Sequence, residues 1–122
     1  KRTAVLDYAA KFLGVPYVYG GSTPSGFDCS GFTSYVYKNT VCSIERVAQA
    51  QFDTTTRVSR DELLPGDLVF FGSSAYSISH VGIYVGDDEF IHAPHTGDVV
   101  KYESLSGSYA SRFQGGGRVI FD

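Results

Sequence analysis

The order of helix-like and strand-like patterns along this chain restricts its fold more than any other feature of the sequence. Apolar residues recur at helical spacing in the first 52 residues, whereas short β-branched and aromatic runs dominate after residue 67. The predicted helices are Thr3 to Leu13, one that begins after Asp28, and Ser43 to Phe52. The predicted strands are Leu68 to Phe71, Val81 to Val85, Glu89 to Ala93, Val99 to Glu103 and Arg118 to Phe121. This segregation predicts an α+β fold in which the N-terminal helices cover one face of an antiparallel sheet.

The size and composition of the chain are those of one globular domain. Its 122 residues are enough to bury a core, and contents of 43% hydrophobic and 19% charged residues argue against disorder. A net charge of −3 argues against nucleic acid or an acidic membrane surface as the main partner. No apolar run approaches the ~20 residues that span a bilayer, and no signal-peptide pattern is present. Because the first residue is Lys1, not Met, we expect residues 1–122 to be a single domain of a longer protein.

A cysteine falls where the second helix is predicted to begin. Asp28 is a favourable N-cap residue, and Cys29 follows it in the first turn. Phe32, Tyr35 and Val36 then recur at helical spacing. Because the unpaired amides of a helix N-terminus stabilise a thiolate and an oxyanion, we expect a lowered pKa and a nucleophilic role for this thiol. The alternative interpretation is a small buried hydrophobic residue.

Two of the three histidines bracket one predicted hairpin. A three-residue loop, residues 86–88, would place His92 opposite Gly82 on the neighbouring strand. His80 and His92 would then share one face, on a diagonal of about 7–8 Å, and the glycine would leave room for the second imidazole. A two-residue loop would instead put the two rings on opposite faces and pair His80 with His95.

These residues can perform nucleophilic catalysis together. A thiol nucleophile needs a base within hydrogen-bond reach, and the base needs a third group to orient it. Cys29, His80 and His92 can fill these roles in that order, with His80 later protonating the leaving amine. Each histidine taken alone is also compatible with a satisfied, partly buried side chain. His95 lies in a turn-like sequence and is assigned to the surface.

The segments around these residues resemble the catalytic blocks of the NlpC-type cell-wall peptidases, which are papain-like cysteine peptidases that cut peptidoglycan stem peptides. The three matching blocks are Asp28-Cys29-Ser30-Gly31-Phe32, His80-Val81-Gly82-Ile83-Tyr84 and Phe90-Ile91-His92-Ala93. Further matches in the same order are Gly14 to Gly21, Arg46 with Gln51, and Leu64 to Phe71. The resemblance covers nearly the whole chain and implies a papain-like α+β fold for residues 1–122.

The resemblance also implies an activity and a catalytic triad. The triad would consist of Cys29, His80 and His92, without a cofactor. The implied reaction is hydrolysis of the bond between γ-D-glutamate and the diamino acid of stem peptides or muropeptides. The implied location is extracellular or in the cell envelope, and additional wall-binding or lytic domains are expected outside this chain.

A substrate subsite is implied by the same resemblance. Tyr17 would place its hydroxyl beside the thiol, and Asp28 and Ser30 would line the subsite for the free amino end of the substrate. The chain departs from the family just before Arg46, where Ile44-Glu45 stands in place of a common Leu-Pro pair. We therefore expect the departure to affect substrate preference more than chemistry.

Three other functions are compatible with parts of the pattern. Cys29, His80 and His92 form a ligand set that zinc accepts, although no two of them have the close spacing typical of zinc sites. A non-catalytic wall-binding module would keep the fold, but all three catalytic positions are filled here. Acyl transfer or lipid deacylation on a related fold is the third, and the Cys-His-His order argues against it.

The remaining predictions concern a second cysteine, the aromatic residues and a glycine run. Cys42 is predicted to be a buried thiol, and a bridge to the nucleophile is not expected. Gly115 to Gly117 is predicted to form a flexible loop before the last strand. The predicted core aromatic residues are Phe70, Phe71, Phe90 and Phe121, and the predicted groove residues are Tyr17, Tyr19 and Tyr84.

Overall fold

Residues 1–121, which the computed structural model describes, form three α-helices and eight β-strands. The helices are α1 (Arg2–Ala10), α2 (Cys29–Lys38) and α3 (Ala48–Thr54). The strands are β1 (Ser22–Thr23), β2 (Gly26–Phe27), β3 (Thr56–Val58), β4 (Leu68–Ser74), β5 (Ser77–Gly86), β6 (Glu89–His92), β7 (Lys101–Ser104) and β8 (Phe113–Arg118). Single 3₁₀ turns lie at Arg60–Glu62 and Ala110–Arg112. Within the described part of the chain, no helix is long and apolar enough to cross a membrane.

The main sheet is antiparallel and has the order β3-β8-β4-β5-β6-β7. Because side chains alternate along a strand, its central strands bury apolar residues on both faces. One face packs against the helices through Leu68, Phe70 and Val81. The other face carries Val69 and Phe71 and is covered by the segment that follows β7. The predicted α+β fold, with the helices on one face of an antiparallel sheet, is confirmed.

The hairpin between β5 and β6 closes with a shorter loop than the sequence predicts. Its turn has two residues, Asp87 and Asp88, whose φ angles are 53° and 63°, and Gly86 pairs with Glu89. A bulge at Val85 adds one residue to β5. The predicted loop length is therefore wrong, but the bulge restores the register that a three-residue loop would produce.

That register places the two histidines on one face of the sheet, as predicted. Ile83 pairs with Ile91, so Gly82 lies next to His92. A methyl group built on Gly82 would come within 3.2 Å of Cβ of His92 and 2.7 Å of the Phe90 ring. The glycine therefore leaves the space that the His92 side chain occupies.

The C-terminal glycine run lies inside a strand, contrary to the prediction of a loop. Strand β8 contains Gly115 to Gly117 and runs between β3 and β4. Of the predicted strand Arg118 to Phe121, only Arg118 lies in a strand, as the last residue of β8. Phe121 is exposed and not part of the core. A methyl group on Gly117 would lie 2.7 Å from the Phe70 ring and 3.0 Å from Cβ of Thr55, so the strand needs a small residue here.

Helix boundaries also differ from those predicted. Helix α1 ends at Ala10, and turns then lead to Gly14, whose φ of 88° suits glycine. Helix α3 begins at Ala48, five residues after the predicted start at Ser43, and the intervening segment is irregular. This segment runs beside the start of α2 and places Arg46 near the predicted nucleophile.

Candidate active site

The predicted nucleophile lies in the first turn of α2, against β5. Asp28 caps the helix by accepting a hydrogen bond of 2.6 Å from the backbone N–H of Gly31. The Cys29 sulfur is partly buried and receives a hydrogen bond from the backbone of Val81. Because Val81 directly follows His80, the tertiary structure brings the thiol to the strand that carries the predicted base.

The expected low pKa of the thiol is not what the structure shows. Burial raises the pKa of Cys29, and the neighbouring Asp28 carboxylate raises it further. Hydrogen bonds from the backbone of Val81 and from Ser30 act in the opposite direction without reversing the shift. The prediction was wrong because a sequence pattern shows the helix start but not the burial of the sulfur. The free site therefore holds a thiol at neutral pH.

The two predicted histidines form a hydrogen-bonded pair. Nε2 of His80 lies 2.7 Å from Nδ1 of His92, and Nε2 of His92 lies 3.2 Å from Oε1 of Glu103. Glu103 reaches this position because His92 pairs with Lys101 in β7, and residues two apart on a strand share a face. Glu103 was not identified as a site residue from the sequence. The predicted strand Val99 to Glu103, paired with β6, was the signal that could have found it.

The histidine pair lies in an aromatic environment. The ring centroid of Phe71 is 5.8 Å from that of His80, and Phe90 is 4.5 Å from His92. Tyr109 packs against both imidazoles, tilted against His80 and edge-on to His92, with centroid distances of 5.5 and 5.2 Å. Burial lowers the pKa of both histidines well below their ordinary value of 6.5, and neighbouring positive charges add to the shift. Both rings are therefore neutral at pH 7.

An ion pair neutralises the carboxylate beside the nucleophile. Nη1 and Nη2 of Arg46 donate to the two oxygens of Asp28 at 3.1 and 3.0 Å. The same guanidinium donates to the hydroxyl of Ser30 at 3.0 Å and to the carbonyl of Gly21 at 3.3 Å. Sequence comparison with the family pointed to Arg46 as part of a block, but its role as the partner of Asp28 becomes visible only in the tertiary structure.

A buried amide holds this arginine segment in place. Gln51 is fully buried, and its Oε1 accepts a hydrogen bond of 2.9 Å from the Thr33 hydroxyl. Its Nε2 donates to the carbonyls of Ser30, at 3.3 Å, and Glu45, at 2.8 Å. Gln51 thus ties the residue that precedes Arg46 to the first turn of α2.

The three predicted subsite residues meet around the thiol. Burial raises the pKa of Tyr17, and the next largest contributions come from Cys29 and Asp28, which shows that these groups are neighbours. Ser30 is buried and is held by Arg46. Tyr17, Asp28 and Ser30 are therefore all neighbours of Cys29.

A cavity of about 230 Å³ lies beside Arg46, which forms part of its wall. Lys38, Ser43 and Ile44 contribute to its walls. Ile44 belongs to the pair of residues at which the sequence departs from the family pattern. Arg46 also lines the cavity, so the cavity borders the ion pair between Arg46 and Asp28.

The residues around the site differ in their exposure to solvent. Cys42 is exposed, which contradicts the predicted buried thiol, because the loop turns Val41 and Ile44 toward the core instead. His95 is exposed, as predicted. Tyr19 is 90% exposed, whereas Tyr84 is half-buried.

The two histidines are arranged as hydrogen-bond partners of each other. The two ring nitrogens that face each other are hydrogen-bonded at 2.7 Å, so they do not converge on a common third point. Among residues 1–121, no three histidine, cysteine or carboxylate side chains are grouped as metal ligands would be. This arrangement supports the sequence interpretation of His92 as the residue that orients His80.

Known proteins share both the sequence and the fold of this chain. The probable endopeptidase p60 of Listeria innocua is 46% identical over 117 residues, which are 95% of this chain and 24% of that protein. The bifunctional muramidase/DL-endopeptidase CwlT of Bacillus subtilis is 39% identical over 108 residues, 86% of this chain and 32% of that protein. The chain thus spans about a quarter to a third of the length of these relatives.

A solved structure and a family model agree with these relatives. The crystal structure of the NlpC/p60 domain of the peptidoglycan hydrolase SagA superposes with a TM-score of 0.90 at 37% identity. That match covers 98% of this chain and 99% of the solved one. The NlpC/P60 family model matches residues 14–118, which include the thiol, both histidines and the arginine segment. The chain therefore belongs to the NlpC/P60 family.

Proposed function

We propose that this chain is the catalytic domain of a cysteine endopeptidase that hydrolyses peptidoglycan stem peptides. The observation that carries the proposal is a thiol at a helix start, packed against the strand that presents a hydrogen-bonded histidine pair. Relatives named as endopeptidases or a peptidoglycan hydrolase support the substrate class. An extracellular or cell-envelope location follows from this proposal, because peptidoglycan is found there.

The proposed reaction begins from a neutral thiol and a neutral imidazole. His80 takes the proton as the Cys29 sulfur attacks the peptide carbonyl, so the thiolate forms only during attack. The backbone amides in the first turn of α2 stabilise the resulting oxyanion. The tetrahedral intermediate then expels the amine, which receives the proton from His80, and leaves an acyl-enzyme. Water attacks the acyl group, returns a proton to the sulfur through His80 and releases the acid.

The proposed scissile bond joins γ-D-glutamate to the diamino acid. In this proposal, Tyr17, Asp28 and Ser30 hold the amino end of the stem peptide while the carbonyl lies at the thiol. An ammonium group here would share the Asp28 carboxylate with Arg46, which already donates two hydrogen bonds to it. The preference for a free amino end is therefore expected to be weaker than an unpaired carboxylate would produce.

Digestion of purified muropeptides with mass-spectrometric detection tests the proposal. The expected products are a fragment that ends in γ-D-glutamate, with the glycan still attached where the muropeptide carries it, and a fragment that begins with the diamino acid. The Cys29→Ala variant should release neither product, and Cys42→Ala, which removes the other thiol, serves as the matched control. A chelator should leave the wild-type rate unchanged.

Several outcomes would overturn the proposal. Binding of muropeptides without cleavage would favour a wall-binding module. Cleavage only between cross-linked stems would replace the proposed bond with another one. Loss of activity with a chelator and recovery with zinc would turn Cys29, His80 and His92 into metal ligands.

A further inference from the structure

We infer that Glu103 is a positioning residue, which acts through His92 to hold His80 in the tautomer that a general base requires. The inference rests on the proposed function and extends it to a residue outside the predicted triad. Glu103 lies on β7, one strand beyond the histidine pair, and its side chain is 30% exposed.

The Glu103 carboxylate fixes the direction of two hydrogen bonds, the one between Glu103 and His92 and the one between His92 and His80. An ionised carboxylate can only accept, so Nε2 of His92, at 3.2 Å from Glu103, carries a proton and donates it. Nδ1 of a neutral His92 then has a lone pair and must accept. Nε2 of His80, at 2.7 Å, therefore donates to it.

This sequence of donors leaves one ring nitrogen of His80 unprotonated. With its proton on Nε2, the neutral ring has its lone pair on Nδ1, which is the atom available to take the thiol proton. Without an acceptor at position 103, the opposite arrangement becomes possible, in which Nδ1 of His92 donates to His80. His80 would then carry its proton on Nδ1 and could not act as a base there.

The same carboxylate stabilises the charge that forms during the reaction. When His80 gains the thiol proton, the positive charge is shared along a buried pair surrounded by aromatic rings. The other charged or titratable groups that act on the pair are Arg112, Lys101, Asp98, His95 and Tyr109. Asp98 forms an ion pair of 2.9 Å with Lys101. Glu103 is the carboxylate that contacts the histidine pair directly, at 3.2 Å from His92.

The tautomers can be measured without catalysis. Long-range proton–nitrogen correlation spectra of labelled Cys29→Ala protein at neutral pH distinguish protonated from unprotonated ring nitrogens. We expect His80 and His92 both to carry their proton on Nε2. When Glu103→Ala is added, we expect both rings to be mixtures of the Nε2-protonated and Nδ1-protonated tautomers. Glu89→Gln, an equal loss of charge on β6, is the matched control and should change neither ring. Unchanged spectra in the Glu103→Ala background would overturn the inference.

Kinetics provide the second measurement. We expect Glu103→Ala to lower kcat about tenfold to a hundredfold with KM unchanged, short of the ~10⁴-fold loss that a wrong tautomer causes in a serine triad. Glu103→Gln should recover part of the rate because its amide oxygen can accept from His92. Thermal unfolding of each variant identifies misfolding, and Glu103→Gln carries the test if the alanine variant does not fold. Wild-type kcat in both variants would overturn the inference, whereas an inactive wild type would overturn the proposed function and leave the spectra to decide the role of Glu103.

Discussion

The two halves of the candidate site differ in burial, charge and the element that carries them. On the helix half, Cys29 lies beside the ion pair between Asp28 and Arg46, whose side chain is 41% exposed. On the sheet half, His80 and His92 are 6% and 0% exposed, and aromatic rings enclose them. One half is therefore polar and reachable from solvent, and the other is apolar and closed.

Under the proposed function, we expect this difference to separate substrate binding from proton transfer. A partly exposed carboxylate–guanidinium pair can exchange its hydrogen bonds with those of a substrate at modest cost. A buried neutral histidine pair interacts more strongly with a nearby charge, because few water molecules screen it. We expect substitutions in the helix half to change substrate choice and those in the sheet half to change the rate and its dependence on pH.

The largest effect is expected at Cys29, which lies beside Asp28 and accepts a hydrogen bond from the backbone of Val81 on β5. Cys29→Ala should lower the cleavage rate by about 10⁴-fold or more, because no covalent intermediate can form. Circular dichroism and thermal unfolding should show an intact fold. Cys42→Ala should retain most of the activity, since that thiol is exposed and lies in the loop after α2. Near-normal turnover by the Cys29 variant would show that Cys29 is not the nucleophile and that the two halves do not form one catalytic site.

Acid should destabilise the sheet half. The pKa of both buried histidines is lowered in the folded protein, so the unfolded chain binds protons first as the pH falls below 6.5. The free energy of unfolding should therefore decrease below that pH, by about 1.4 kcal/mol per pH unit for each proton. Urea unfolding at several pH values measures this slope. His92→Asn should flatten the slope, and His95→Asn, which alters an exposed histidine, should not.

A moderate effect is expected from the ion pair of the helix half. Arg46→Gln frees the Asp28 carboxylate, so the preference for a free amino end over an acetylated one should increase, by about tenfold if ~1.4 kcal/mol is gained. Asp28→Asn should reduce the preference and also weaken the helix cap. Ratios of kcat/KM for matched peptides measure both changes. Arg60→Gln, which disrupts a distant ion pair with Asp88, is the control and should leave the ratio unchanged. Equal ratios in all variants would show that Asp28 only caps α2.

The smallest effect concerns alkylation of the thiol. Because burial and Asp28 raise its pKa, labelling of Cys29 by iodoacetamide should keep increasing above pH 8, without a plateau in mild acid. Exposed Cys42 should be labelled first at neutral pH. Asp28→Asn should speed the labelling of Cys29 a few-fold by removing one cause of the shift. Rapid labelling of Cys29 at mildly acidic pH would show that the helix amides outweigh burial.

Local patterns were sufficient to predict the elements that carry the candidate site. The cap and apolar spacing after Asp28 predicted where α2 begins, and β-branched runs predicted the strands that carry His80 and His92. The shared face of the two histidines was also predicted correctly, although the loop was not. A bulge at Val85 compensates for the shorter turn, and no local propensity distinguishes that combination from a three-residue loop.

Other features required the packing of distant segments. Gly115 to Gly117 has weak strand propensity, yet close neighbours in the sheet make small residues suitable there. The pKa of Cys29 rises because α2 lies against β5, and Cys42 is exposed because its loop turns outward. These outcomes depend on burial, which a pattern of neighbouring residues does not specify.

The sequence by itself determined the helix and strands that carry the candidate site, the start of α2 and the face shared by the two histidines. Only the tertiary structure decided which groups surround them, with Arg46 on Asp28 and Glu103 on His92. The physical reason is the sequence separation between the residues that interact. Helix caps and strand alternation act over a few residues, whereas these two contacts join residues 18 and 11 positions apart: one between the start of α2 and the segment before α3, the other between the paired strands β6 and β7.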